Sequence, residues 1–370
     1  MKQHLVTLSF AIIFASACAV ALRTALVQSR CRSDEAGLAV KSEPTLLWRM
    51  QIKAAPNAPC AFPEGWFVTD ESGGLTAIST EGRLLWHVDF SNQLFSCAAS
   101  FVARLAVVAS QDGDVSGVRS DTGKVVWHRK LDARFQHAPL TGTRDDVQVV
   151  WLMSQADGQL FCVRASDGQL MWQSEATNRC DGTPVLCRGR IAYGNCDGAV
   201  YVFDAKDGSL KGSVSVGEND QMAGGMLASQ SGLLVTGTRQ GNLVVVDADA
   251  LKRVALVNVS PSETFASPAQ VFGGLVAMGT PEGLVTFWRI EDKRLTPAGR
   301  VDLGKPVDSL QTSGGHLFAL SGGDLCALSS VTAAVERLPL GDTAKGLVAG
   351  DKGALACVAD GAIVSVSGEN

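Results

Sequence analysis

The sequence predicts an all-β protein: a single eight-bladed β-propeller of four-stranded antiparallel blades, with the ring closed by an N-terminal strand joining the last blade. Three observations carry this reading. A glycine followed by an apolar strand recurs at Gly73, Gly113, Gly158, Gly198, Gly241, Gly283, Gly323 and Gly361, at intervals of 38 to 45 residues, the period of propeller blades. Each interval resolves into four short apolar stretches separated by turn residues. No stretch after residue 45 holds an amphipathic helical period.

In chain order, residues 1–21 read as a signal peptide or membrane anchor. Residues 5–22 (LVTLSFAIIFASACAVAL) carry no charge, with Lys2 ahead and Arg23 behind. The small residues Ala15-Ser16-Ala17 fit cleavage after Ala17, with Ala21 as the alternative. Cleavage after Ala17 makes Cys18 the new N-terminus and the lipidation candidate of a lipoprotein, although Ala15 stands where Leu is usual. A freely released chain and an uncleaved anchor are the two other readings, since 18 apolar residues just suffice to span a bilayer. All three place the body outside the cytoplasm, in the periplasm or another extracytoplasmic space. Residues 22–43, with mixed charges and no period, read as a tether. Residues 44–370 are assigned to the propeller.

Within the propeller a second unit accompanies the glycines: an acidic residue or Thr, then Gly, a polar residue, two apolar residues and Trp. It occurs as Glu81-Gly82-Arg83-Leu84-Leu85-Trp86, as Thr122-Gly123-Lys124-Val125-Val126-Trp127 and as Asp167-Gly168-Gln169-Leu170-Met171-Trp172, with a truncated copy at Leu46-Leu47-Trp48. Such a Trp on an outer strand can lie flat against the neighbouring blade and fill the widening gap between radiating sheets. After Trp172 the copies decay; Lys211 is assigned to the next Trp position, and Trp288 falls on a glycine strand instead. Between residues 180 and 216 the four stretches are GTPVLC, RIAYGN, AVYVFD and SLKGSVSV, and the Asp-Gly steps suit tight hairpins. The chain opens on a lone Trp strand, residues 45–52, and closes on a glycine strand, residues 362–367. Pairing the two completes the last blade and removes a sheet edge.

Composition narrows the function. A formal net charge of −5 and a pI near 5.6 speak against nucleic acid, which needs clustered Lys and Arg. No nucleophile elbow, P-loop or dinucleotide fingerprint occurs. The five histidines are dispersed; His87 and His128 each follow an outer-strand Trp, which a repeat explains better than catalysis. For the ten cysteines three readings stand: buried thiols acting as small apolar fillers, at least one disulfide if the compartment is oxidising, or a metal site, the last lacking Cys-x-x-Cys spacing.

The residues Asp121-Thr122-Gly123-Lys124-Val125-Val126-Trp127 resemble the outer-strand motif of the PQQ-like repeat family, with Gly117 where the family prefers Ala. Ala138-Pro139, Thr183-Pro184 and Ser267-Pro268 echo its Ser-Pro at the innermost strand. The resemblance covers residues 45–370 and implies the propeller fold. Two subgroups suit an exported chain of this size, the periplasmic quinoprotein dehydrogenases and the outer-membrane β-barrel assembly lipoproteins. The dehydrogenases share adjacent cysteines over the quinone and long roofing insertions, and this sequence has neither. The resemblance therefore implies the second subgroup: a non-catalytic, membrane-tethered scaffold without cofactor, whose partner is an envelope protein of the β-barrel assembly machinery. It further implies docking through the loop after the third blade, residues 175–181, where Arg179 falls at the family's arginine position. Thr177 and Asn178 stand beside it in place of the family's apolar residues. A PQQ-dependent oxidoreductase and a propeller for another envelope ligand remain the alternatives.

Overall fold

The computed structural model describes residues 44–264, 268–270, 274–291, 294–328, 335–341, 343–350 and 354–367. The signal or anchor with Cys18, the tether, and Ser267 lie outside the described residues. The chain begins with β1 (Thr45–Gln51). Blade 1 follows as β2 (Cys60–Phe62), β3 (Gly65–Thr69), β4 (Gly74–Ser79) and β5 (Leu84–Asp89); blade 2 as β6 (Ser100–Val102), β7 (Leu105–Ala109), β8 (Asp114–Arg119) and β9 (Val125–Lys130). Blade 3 comprises β10 (Leu140–Arg144), β11 (Val147–Met153), β12 (Leu160–Arg164) and β13 (Leu170–Gln173), and blade 4 β14 (Val185–Cys187), β15 (Arg190–Gly194), β16 (Ala199–Asp204) and β17 (Leu210–Ser215). Blade 5 holds β18 (Met222–Ala228), β19 (Leu233–Thr238), β20 (Asn242–Asp247) and β21 (Lys252–Asn258); blade 6 holds β22 (Ala269–Gln270), β23 (Leu275–Gly279), β24 (Leu284–Glu291) and β25 (Arg294–Asp302). Blade 7 is β26 (Val307–Ser313), β27 (His316–Ser321), β28 (Asp324–Leu328) and β29 (Val335–Pro339), and blade 8 is β30 (Lys345–Ala349), β31 (Ala354–Ala359) and β32 (Ala362–Ser367) completed by β1.

These eight antiparallel sheets form an eight-bladed propeller, as the repeat period predicts. All eight repeat glycines immediately precede or open the turn into the third strand of a blade. The middle strands are covered on both faces by neighbouring blades, so they read as continuous apolar runs such as Leu105-Ala106-Val107-Val108-Ala109, buried throughout. One core layer, for example, joins Val107 and Trp127 of blade 2 to Val150, Leu152 and Phe161 of blade 3. The ring closes as expected: β1 pairs with β32 from Thr45↔Ser367 to Gln51↔Ala362. Arg49 clamps the joint, its Nη2 donating to the Ala359 carbonyl at 3.1 Å and to the Asp360 carboxylate at 3.1 Å.

The Trp unit forms the seam between blades. A β-bulge interrupts the outer strand of seven of the eight blades, and the extra residue is the second apolar one of the unit: Leu47, Leu85, Val126 and Met171. The bulge shifts the register so that Trp86 lies opposite Ala77 and Trp127 opposite Gly117, re-aiming the indole across to the next blade. There each Trp covers the Gly of the next blade's outer hairpin: a Cβ on Gly82 would stand 2.7 Å from Trp48, on Gly123 2.9 Å from Trp86, and on Gly168 2.5 Å from Trp127. The indole N–H donates to that blade's backbone, from Trp48 to Thr80, Trp86 to Ser120 and Trp127 to Ala165, each at 2.8 Å. Gly117 departs from the family's Ala because a Cβ there would meet the Trp127 ring; the ring sinks to 8% exposure. The same bulges kink the outer edges and so discourage pairing with foreign strands.

Two readings need correction or completion. The Trp position of blade 4 is Gly212, not Lys211: Gly212 pairs with Val202 as Trp172 pairs with Cys162, and Lys211 is the bulged residue, ion-paired with Asp204 at 3.1 Å. The missing indole is replaced by Leu251, whose Cδ1 would lie 2.9 Å from a Cβ on Gly212. Trp288 does lie on a glycine strand, β24. The eight described cysteines are all free thiols. Burial pushes Cys97, Cys162 and Cys357 up to about 12, so they behave as small apolar side chains. Among the described residues no group of three or more His, Cys, Asp and Glu is placed to hold a metal ion.

Candidate docking loop

Strands alternate in direction, so the turn between second and third strands of each blade and the link to the following blade share one face. Residues 174–184 link β13 to β14 on that face. The link is stitched to both neighbours. On the blade 3 side the Thr177 N–H donates to Asp157 O at 2.8 Å and the Cys180 N–H to Gln155 O at 3.0 Å. On the blade 4 side the Cys196 N–H donates to Arg179 O at 3.2 Å. At the start of the link Ser174 accepts from the Leu160 N–H at 2.9 Å.

Each residue singled out from the sequence has a distinct place. Thr177 is half-buried; its hydroxyl lies 3.0 Å from the Tyr193 phenol, which donates to Gly158 O at 2.6 Å. It is a structural pin between blades. Asn178 is exposed. Arg179 is 64% exposed at its side chain, with Nε and Nη2 both donating to Asp181 Oδ1 at 3.1 Å. The structure thus separates the three: Asn178 and Arg179 present themselves to solvent, and Thr177 faces inward.

Asp181, which sequence reasoning did not single out, is the hub. Its carboxylate also accepts from Gln155 Nε2 at 2.9 Å and from the Cys196 thiol at 3.1 Å. Partial burial works to raise this carboxyl, but the hydrogen bonds from Cys196, Arg179 and Gln155 together hold it below the ordinary carboxylate range. His137 accompanies it, Nε2 lying 3.4 Å from Cys180 O. Burial lowers His137, against the Cys180 carbonyl and the Asp181 charge, which raise it. On the same face, between blades 2 and 3, a cleft of about 680 Å³ is lined by Asp112, Lys130, Asp132, Arg134 and Asp157 among others; mixed charge gives it no preference for one sign of ligand.

Both titrating groups bind fewer protons folded than unfolded, so their contribution to stability is complete above the ordinary His value of 6.5. It declines as pH falls, first with His137 below 6.5 and then with Asp181 below 3.8. The melting temperature is therefore expected to drop more between pH 7.5 and 5.5 in the wild type than in His137→Asn. Equal drops would remove His137 from the account.

Fold and site together define an eight-bladed β-propeller with a polar inter-blade loop held by backbone bonds to both neighbouring blades. Residues 111–260 match a family profile described as outer membrane protein assembly factor BamB. The chain is 30% identical over 94 residues to BamB of Taylorella asinigenitalis, covering 25% of this chain and 24% of that protein. It is 29% identical over 119 residues to BamB of Shewanella oneidensis, covering 31% and 29%. These matches span less than a third of either relative's length. In structure it is similar to BamB from Moraxella catarrhalis, with TM-score 0.69 and 15% identity over 88% of this chain and 97% of that one. The computationally designed protein Ika8 is as similar, with TM-score 0.72 and 17% identity over 87% and 99%, and so is Sqt1 of Saccharomyces cerevisiae, with TM-score 0.72 and 12% identity over 87% and 98%. At such identities the structural likeness shows the fold; the resemblance to BamB in particular comes from the sequence matches, which bear out the one seen in the repeats.

Proposed function

We propose that this chain is a non-catalytic scaffold of the cell envelope that supports outer-membrane β-barrel protein assembly, docking a protein of that machinery through the 175–181 loop. It acts from the periplasmic side, tethered through its N-terminal region, with Cys18 as the lipidation candidate. The observation that carries the reading is the family profile, whose span of residues 111–260 includes this loop; the names of both sequence relatives agree with it. The loop's construction supports it. Backbone bonds to both neighbouring blades fix it in advance, so a partner meets little ordering cost. Arg179 is oriented by Asp181 while most of its guanidinium stays in water, ready for a carboxylate or carbonyl. Binding and orientation are the whole mechanism; no bond is made or broken.

The test is affinity capture by the full chain from solubilised envelopes of its source. Arg179→Ala is expected to reduce capture of a β-barrel assembly component by about tenfold with the melting temperature unchanged. Unchanged capture, or a matching loss of stability, would count against the loop.

A further inference from the structure

The hub of the docking loop brings two cysteines together that lie 16 positions apart in the sequence. The Cys196 N–H donates to the carbonyl of Arg179, the residue bonded to Cys180. The Cys180 sulfur lies 3.0 Å from the carbonyl of Gly194, and the Cys196 sulfur lies 3.1 Å from the Asp181 carboxylate. The Cys180 sulfur also lies 3.3 Å from the carbonyl of Gly182 in its own segment, so it sits between the two segments, while the Cys196 sulfur reaches across to the residue that follows Cys180. The backbone bond joins Cys196 to the chain neighbour of Cys180, and segments hydrogen-bonded side by side run about 5 Å apart, which brings the two cysteines within the range a disulfide bridges. Other described cysteines are placed differently: Cys187, for instance, directs its thiol at Ser229 O in the next blade.

We infer that Cys180 and Cys196 form an intramolecular disulfide, a covalent modification site that locks the 175–181 loop to the β15–β16 turn. Exposure sets the order of events. Cys196 is half-buried and Cys180 fully buried, so the Cys196 thiolate attacks a small disulfide such as oxidised glutathione, forming a mixed disulfide and expelling one glutathione thiolate. Burial pushes the Cys180 thiol up to about 12, so its small thiolate fraction then attacks the Cys196 sulfur slowly and expels the second glutathione thiolate, a step that quickens as pH rises. The two cysteines give up two electrons and two protons; the electrons reduce the oxidant's disulfide, and the protons pass through solvent to the two expelled glutathione thiolates, giving two thiols. Cys196 leaves Asp181 Oδ2 in doing so, while the bonds of Arg179 and Gln155 to Oδ1 need not change.

The inference stands apart from the docking proposal, because its readout is chemical. The full chain is treated with oxidised glutathione, then analysed by intact mass, peptide mapping and thermal melting. The expected product has lost the mass of two hydrogens, carries a Cys180–Cys196 cross-link and melts roughly 2–6 °C higher, reversibly with dithiothreitol. Cys180→Ser is expected to stop at a glutathione adduct on Cys196, and Cys187→Ser to behave as wild type. A wild-type chain that stops at the adduct, pairs other cysteines or does not react overturns the inference.

Discussion

Trp127→Ala is expected to cost about 3–5 kcal/mol, the range for removing a large buried aromatic. The indole is 8% exposed, covers Gly168 of the next blade and donates to Ala165 at 2.8 Å. Its loss opens a cavity and strands a buried carbonyl at once. Gly168 cannot repair the gap, since its φ of +67° disfavours any larger residue there. The neighbouring residue supplies the control. Val126 is the bulged residue and 44% exposed, so Val126→Ala is expected within about 0.5 kcal/mol of wild type. Denaturant titration of both variants decides; equal effects would mean that the seam is not held by the indoles.

Removing residues 1–52 is expected to have a larger effect still, because it deletes β1. Blades contact only their neighbours, and an array of that kind gains from closing its ends. Without β1 the strand β32 becomes an open edge, and the Arg49 clamp to Ala359 and Asp360 is lost. The shortened chain should melt at lower temperature with reduced cooperativity and should associate through the bare edge. A chain lacking only residues 1–43 should melt as the full chain does. Indistinguishable melting of the two truncations would contradict closure by β1.

Such closure was legible because half-repeats at both ends are a linear feature of the sequence, as were the blade period and the Trp units of blades 1 to 3. Legibility failed where a neighbour supplies the solution. In blade 4 Gly212 vacates the Trp position and Leu251 from the following blade fills it. In blade 3 the middle-strand Trp151 donates to Ala205 at 3.1 Å, leaving the Trp172 N–H buried without a hydrogen-bond partner. Neither exchange follows the repeat, so neither can be read from it. The docking hub is similar. Asp181 meets Gln155 and Cys196 only because turns of two blades converge on one face; the sequence shows Arg179 beside Asp181 but nothing of the thiol or the amide. Thr177 shows the converse, a residue whose position suggested contact with a partner but whose hydroxyl is taken up by Tyr193.

The central claim, that the face carrying the 175–181 loop receives a protein of the β-barrel assembly machinery, is tested most directly by site-specific photo-crosslinking in the native envelope. A photoreactive residue at Asn178 probes the loop, and one at Gln169, in the opposite-face hairpin of the same blade, serves as reference. The account predicts that Asn178 crosslinks a component of that machinery and that Gln169 does not. Crosslinking from Gln169 alone, or from neither position, would contradict it.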